Sequence, residues 1–260
     1  MKLALVSLSN EGARVAARLA ERWPSCDLFL HAGVTEMPQA KRFDRVVELT
    51  QELFPAYDGL VFIAPTGAVV RAIAPCIQHK KTDPAVVVVD VGGRWAVSLL
   101  GGHEGGANQL AVDVANVLGA EPVVSTTTEA VKNLIVGIGC RRGAEAASIV
   151  AAVREALAMA GCDPAGVRLL ASADIKADEP GLLAAAQELG VPLRLIAADE
   201  IRNTVRPLAR SEFVQEKVDL PGVAEPAALL AGRRTELLLA RKILHGVTVA
   251  IARENCTSLG

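Results

Sequence analysis

Phe, Trp and Tyr make up only 3% of the 260 residues, too few for the stacking platforms that hold single-stranded nucleic acid. Lys plus Arg number 27 against 29 Asp plus Glu, a formal net charge of −2. No global field therefore draws the chain to nucleic acid or to an anionic membrane. No apolar run approaches the ~20 residues of a membrane-spanning helix. The opening MKLALVSLSNEG is too short for a secretory hydrophobic region and runs into a polar turn, so it reads as a first strand. The five cysteines, Cys26, Cys76, Cys140, Cys162 and Cys256, form no CxxC pair and no metal-ligand spacing. Their odd number in a chain of this size points to reduced thiols in a cytoplasm. A P-loop, a nucleophile elbow and a Ser–His–Asp order are also lacking.

What is abundant is Ala, Val and Leu, within a hydrophobic share of 51%; this suits a well-buried core rather than disorder. Short apolar runs alternate with helical periods. LALVSL (3–8) precedes a helix from about Ser9 to Trp23 with Val15 and Leu19 on one face and Arg14, Arg18 and Arg22 on another. DLFLHA, a helix around Val46–Phe54, GLVFIA, a short helix near Gly67–Ala74 and AVVVVDV follow, and GGR turns tightly into WAVSLL as a hairpin partner. The helix at 107–118 carries Leu110, Val114 and Leu118 on one stripe and ends at Gly119. A second series begins at NLIVGIGCRRG, places Ile149, Val153 and Leu157 on one helix face, and closes on a hairpin whose strands flank LHG. The expected architecture is α/β: two three-layer domains with mainly parallel sheets, spanning 1–130 and 131–260, with antiparallel hairpins near 84–100 and 235–252.

The stretch SLLGGHEGGANQLA (98–111) sets four glycines, Gly101, Gly102, Gly105 and Gly106, around His103 and Glu104. Glycines let a flat ligand touch the main chain, and the N–H groups of a helix start attract carboxylates. His103 can take or give a proton, Glu104 can orient it or act as a base, and Asn108 offers an amide one turn on. A plain tight turn with solvated His and Glu explains the same spacing equally well. APTGAVVRAIAP presents Thr66, Gly67 and Arg71 at another strand-to-helix turn, and HKKTDP adds Lys80 and Lys81. Each is by itself an ordinary capped helix or solvated loop, but together with Arg94 they put cations around presumed strand ends. Ser125 and Thr126 in STTTE offer hydroxyls or simply a cap.

GIGCRRG (137–143) has its glycines at the first, third and seventh positions, not at the sixth as a dinucleotide loop requires, so NAD binding is rejected. Anion binding by this turn, from Gly139 through Arg141 and Arg142, survives. Cys140 is either a nucleophile or a small packing residue. SADIKADEPG places Ser172, Lys176 and Glu179 at a further strand end, or in a charged loop that Pro180 closes by opening a helix.

Taken together these phrases resemble the CbiG family, the cobalt-precorrin-5A hydrolases of anaerobic cobalamin biosynthesis. The likeness lies in FIAPTGAVVRAIAP, KKTDPAVVVVDVGGRWAVSLLGGHEGGANQLA and PVVSTTTE in the first half. In the second it lies in VGIGCRRGAEAASI, LASADIKADEPGLLAAAQELGVPLRLI and VAEPAALL. Family members commonly carry a middle segment, whereas here STTTE runs almost directly into VKNLIVGIGC. The second half alone resembles CobE-type proteins.

The resemblance implies an anionic cobalt tetrapyrrole whose δ-lactone is opened by water, with acetaldehyde released. It implies that Arg71, Lys80, Lys81, Arg141, Arg142 and Lys176 meet substrate carboxylates, that glycine-loop N–H groups serve the oxyanion, and that His103 with Glu104 supplies the base. The site is expected in a cleft between the halves. The cobalt arrives within the substrate, so neither a cofactor nor a protein metal site is expected. No nucleic-acid or membrane partner is expected; edge strands in the terminal hairpin permit a homodimer, and transient contacts with other enzymes of the pathway are expected. The rival expectation is a non-catalytic corrinoid carrier or scaffold.

Overall fold

The computed structural model describes residues 1–204 and 222–256, and the chain divides into two compact units, Met1–Thr126 and Thr127–Gly260. Both are α/β, and both sheets are mixed.

In the first unit the strands are β1 (Leu3–Ser7), β2 (Asp27–His31), β3 (Lys41–Phe43), β4 (Gly59–Ile63), β5 (Ala85–Val89), β6 (Trp95–Leu100) and β7 (Glu121–Val123), arranged β3-β2-β1-β4-β5-β6-β7. All neighbours are parallel except β5 and β6. β1, β4 and β5 are buried along their whole length, as their unbroken apolar runs require of strands covered on both faces. Helices α1 (Asn10–Arg22) and α4 (Ala107–Leu118) pack on one face, and α2 (Val46–Leu53) and α3 (Thr66–Ile73) on the other. Ser9 caps α1 by accepting the Gly12 N–H at 3.2 Å. Gly119 ends α4 at φ +68°, where a side chain costs about 1 kcal/mol or more. The short strand β3 was not legible, since three residues carry no readable period.

The second unit contains α5 (Thr127–Ala130), β8 (Leu134–Gly139), α6 (Ala146–Met159), β9 (Val167–Ala173), α7 (Pro180–Leu189), β10 (Leu193–Ile196), α8 (Ala198–Asn203), α9 (Ala224–Leu230), β11 (Thr235–Leu244) and β12 (Val247–Glu254). Its sheet runs β10-β9-β8-β12-β11. The pairings among β8, β9 and β10 are parallel, and the two involving β12 are antiparallel, so parallel and antiparallel neighbours are equal in number. Ile149, Val153 and Leu157 of α6 pack with α7 against one face, and α8 and α9 cover the other. Gly137 lets α9 approach: a Cβ there would come within 1.9 Å of the Ala224 carbonyl oxygen.

Candidate functional site

The direction of β6 places the glycine loop. β6 runs antiparallel to β5, with Val89 opposite Ala96 and Val86 opposite Leu100. The 101–106 loop therefore leaves β6 where β5 begins, and Gly101 lies against Pro84 and Ala85. Thr66 and Gly67 follow β4 at its other end, beside the point between β1 and β4 where the strand order reverses and where α/β sheets bind ligands. One five-residue strand, about 16 Å, separates the two edges. Within the first unit, then, the structure divides the expected site residues into two groups. Lys80, Lys81, Gly101, Gly102, His103, Glu104, Gly105, Gly106, Asn108, Ser125 and Thr126 belong to one edge. Thr66 and Gly67 belong to the other, and Arg71 lies one turn along α3, its guanidinium folded onto the Gly67 carbonyl at 2.8 Å. The signal for this was already in the hairpin: a hairpin partner must end where its predecessor starts.

The bare backbone at 101–106 is needed largely by the chain itself. A Cβ on Gly102 would lie 2.6 Å from Thr126 Cγ2 and 3.0 Å from Asn108 Oδ1, and one on Gly105 would lie 2.9 Å from the Gly101 carbonyl. Gly101 and Gly106 have φ of +69° and +84°, conformations that favour glycine. The loop then closes over the start of α4. The N–H groups of Ala107 and Asn108 donate to the carbonyls of Gly101 and Gly102, both at 3.0 Å. The first two amides of α4, expected to face a ligand, are thus occupied within the loop. The Asn108 amide is occupied too: Oδ1 accepts from Ser98 Oγ at 2.8 Å and Nδ2 donates to Thr126 Oγ1 at 2.9 Å.

His103 is exposed, and no hydrogen bond to its ring occurs among the described residues. Glu104 does not bond to it but pairs with Lys80, Oε1 to Nζ 3.2 Å. That hydrogen bond is the largest cause holding the Glu104 carboxyl below its ordinary range; the His103 ring contributes least. Asp83, which the sequence reading passed over, organises the loop bearing both lysines. It is buried, and its Oδ1 accepts the N–H groups of Gln78 and His79 at 3.1 and 3.2 Å. A lone acid just before Pro84, inside a basic loop, was the available signal.

In the second unit Gly139, Cys140, Arg141, Arg142, Ser172, Lys176 and Glu179 do gather at one edge, because they end or follow the parallel strands β8 and β9. Their roles diverge. Ser172 is fully buried and donates to the Ile138 carbonyl at 2.8 Å, stitching β9 to β8. Glu179 is 5% exposed; its Oε1 accepts the Gly143 N–H at 2.8 Å and its Oε2 faces Lys176 Nζ at 3.4 Å. Cys140 is half-buried, and burial pushes its thiol up, with a smaller opposing pull from Lys176. The neutral thiol is thereby favoured, which weighs against Cys140 as a nucleophile. Arg141 and Arg142 are exposed. Among the described residues no group of three or more His, Cys, Asp or Glu is placed to hold a metal ion, and no helix is long and apolar enough to cross a membrane.

Two three-layer units with polar and cationic groups gathered at strand edges define a two-unit α/β protein. Residues 48–129 match the model described as Cobalamin synthesis G N-terminal, and residues 134–252 match Cobalamin synthesis G C-terminus. The chain belongs to the CbiG family. The cobalt-precorrin-5A hydrolase of Priestia megaterium is 26% identical over 352 aligned residues, covering 96% of this chain and 94% of its own. That of Salmonella typhimurium is 25% identical, covering 96% and 97%. The crystal structure of CobE, from the cobalamin biosynthetic pathway, is 36% identical over 47% of this chain and 91% of its own, at a TM-score of 0.44. The first alignment is longer than the 260 residues present here and covers 96% of them, so roughly a hundred of its positions have no counterpart in this chain. The two family matches lie four residues apart.

Proposed function

We propose that this protein is a cobalt-precorrin-5A hydrolase, which opens the δ-lactone of a cobalt tetrapyrrole with water and releases acetaldehyde. One observation carries the reading: both halves of the chain match the family, and the relatives bearing that name align over 96% of it. In the reaction water adds to the lactone carbonyl and the ring C–O bond breaks, giving a carboxylate and a hydroxyl. A base then takes the hydroxyl proton. The oxygen forms the aldehyde C=O as the carbon–carbon bond to the macrocycle breaks, and that electron pair passes to the macrocycle, which is then protonated.

His103, exposed on the loop, is assigned the base. Glu104, held ionised by Lys80, stabilises the imidazolium across the loop. The loop's own N–H groups face the oxyanion, and Lys80 and Lys81, on the same edge, meet substrate carboxylates; Arg71 stands at the opposite edge of the first sheet, and within the second unit Arg141, Arg142 and Lys176 offer a carboxylate-binding edge. The cobalt belongs to the substrate, and the reaction as written calls on no further cofactor. All five cysteines are free, in keeping with a cytoplasmic setting. A homodimer through the outer strand β11, and transient contacts with other enzymes of the pathway, complete the reading.

The absence of roughly a hundred aligned positions favours a second reading, a non-catalytic corrinoid carrier or scaffold. Incubating the pure protein with cobalt-precorrin-5A under anaerobic conditions and assaying acetaldehyde separates the two. Repeated turnover supports the hydrolase; tight binding without acetaldehyde assigns the carrier.

A further inference from the structure

We propose that Glu179 is a positioning residue: with both carboxylate oxygens it holds the 140–143 turn and the Lys176 ammonium together at one strand edge, so that Lys176 receives a carboxylate arm of the substrate. The proposal rests on the reading of an anionic tetrapyrrole as the ligand.

Glu179 cannot itself meet that ligand. It is 5% exposed, carries the same sign as the carboxylate arms, and has each oxygen turned to a partner inside the unit. Gly143 N–H donates to Oε1 at 2.8 Å, and Lys176 Nζ stands 3.4 Å from Oε2. The two contacts differ in kind. The first is short and fixes a turn whose Gly143 has φ +74°. The second is long, and an ammonium has three donors, so Lys176 keeps hydrogen-bonding capacity although its side chain is only 16% exposed. A cation withdrawn from water and loosely paired gains more from an incoming carboxylate than a solvated one does. The backbone supports the arrangement from a second direction. Glu179 sits immediately before α7, whose first residue is Pro180. A Cβ on Gly181 would lie 1.8 Å from the Ala144 carbonyl oxygen, so the start of α7 is pressed onto the same turn. Cys140 lies within this electrostatic group: Lys176 pulls its thiol down and Glu179 pushes it up, both less than burial does. The thiol is therefore a reporter of the pair.

The test uses the full chain, its fold checked by circular dichroism. With cobalt-precorrin-5A as substrate, Lys176→Met and Glu179→Ala are each expected to raise KM about tenfold, the loss of one charge-assisted hydrogen bond, with kcat within about twofold. Glu179→Gln retains an acceptor for Gly143 but turns an amide NH2, a donor, toward Lys176, and is expected to recover only part of the loss. Independently of turnover, alkylation of Cys140 by iodoacetamide at pH 8.5, followed by mass spectrometry of its peptide, should slow in Lys176→Met and quicken in Glu179→Gln. A folded Glu179→Ala with unchanged KM, or Cys140 rates that move in the same direction in both variants, overturns the proposal. If the wild type binds the substrate without releasing acetaldehyde, the hydrolase reading fails, and the same variants are then judged on Kd from tryptophan fluorescence. A wild type that does not bind it overturns the positioning role as well.

Discussion

Asn108 donates through Nδ2 to Thr126 Oγ1 at 2.9 Å while its Oδ1 accepts from Ser98 Oγ at 2.8 Å, so one amide joins the start of α4 to the ends of two strands. Asn108→Ala would leave two part-buried hydroxyls without that partner, and the expected loss of stability is about 1–3 kcal/mol in urea unfolding at pH 7. An unaltered midpoint together with a large rise in KM would return Asn108 to the role of ligand contact.

Two glycines of the same loop should respond for different reasons. Gly102→Ala forces a methyl against Thr126 and Asn108, and about 1–3 kcal/mol of destabilisation follows from overpacking. At Gly106 a Cβ meets nothing within 4 Å, and only the φ of +84° opposes it; Gly106→Ala should cost about 1–2 kcal/mol. Relieving the crowding with Thr126→Ser, which keeps the hydroxyl, should restore stability to Gly102→Ala and leave Gly106→Ala unchanged.

His103→Ala should lower kcat by about 10²–10⁴, the usual contribution of a positioned base, while substrate binding stays within a few-fold. Acetaldehyde release at the wild-type rate would remove His103 from the mechanism and shift attention to the other edge of the sheet.

The single tyrosine allows an unambiguous titration. Burial first, and then the 2.7 Å hydrogen bond from Tyr57 to Asp27, push its pKa up to about 12. The neutral phenol is the favoured form in the fold. Its contribution is therefore complete below the ordinary tyrosine value of about 10 and is lost as pH rises through about 12. Absorbance at 295 nm should show that midpoint, and Asp27→Asn should lower it only in part, because burial remains. A midpoint at the ordinary value would contradict the packing around Tyr57.

Asp113 on α4 has its pKa raised by burial, against a 2.9 Å hydrogen bond from Gln109. A raised carboxyl favours folding below the ordinary carboxylate range and penalises it as pH climbs through the elevated value. Asp113→Asn should consequently raise Tm at pH 7, and the gain should vanish in acid. A lower Tm at pH 7 would mean that the charge is needed in the fold.

Much of this was readable in one dimension. The period of Ile149, Val153 and Leu157, the stop at Gly119 and the four-valine run of β5 report local preferences: apolar spacing, left-handed glycine and β-branched side chains act over a few residues and need no distant partner. The second-unit cluster was also legible, since residues that follow parallel strands share an edge whatever the loops do. Three features were not. Ser172 and Asn108 read as free polar groups because their partners, Ile138, Ser98 and Thr126, lie 10 to 34 residues away. The pairing of Glu104 with Lys80 instead of His103 likewise depends on two loops meeting.

The sequence by itself determined the alternation of strands and helices, the family and the turn at residues 90–94, because hydrophobic period and glycine placement are properties of neighbouring residues. Tertiary structure decided which loops share an edge. Pairing β6 antiparallel to β5 carries the glycine loop away from Thr66 and Gly67, and close packing, rather than an open approach for ligand, accounts for three of its glycines. Strand direction and packing are fixed only when remote segments compete for the same space, and no short stretch of sequence contains that competition.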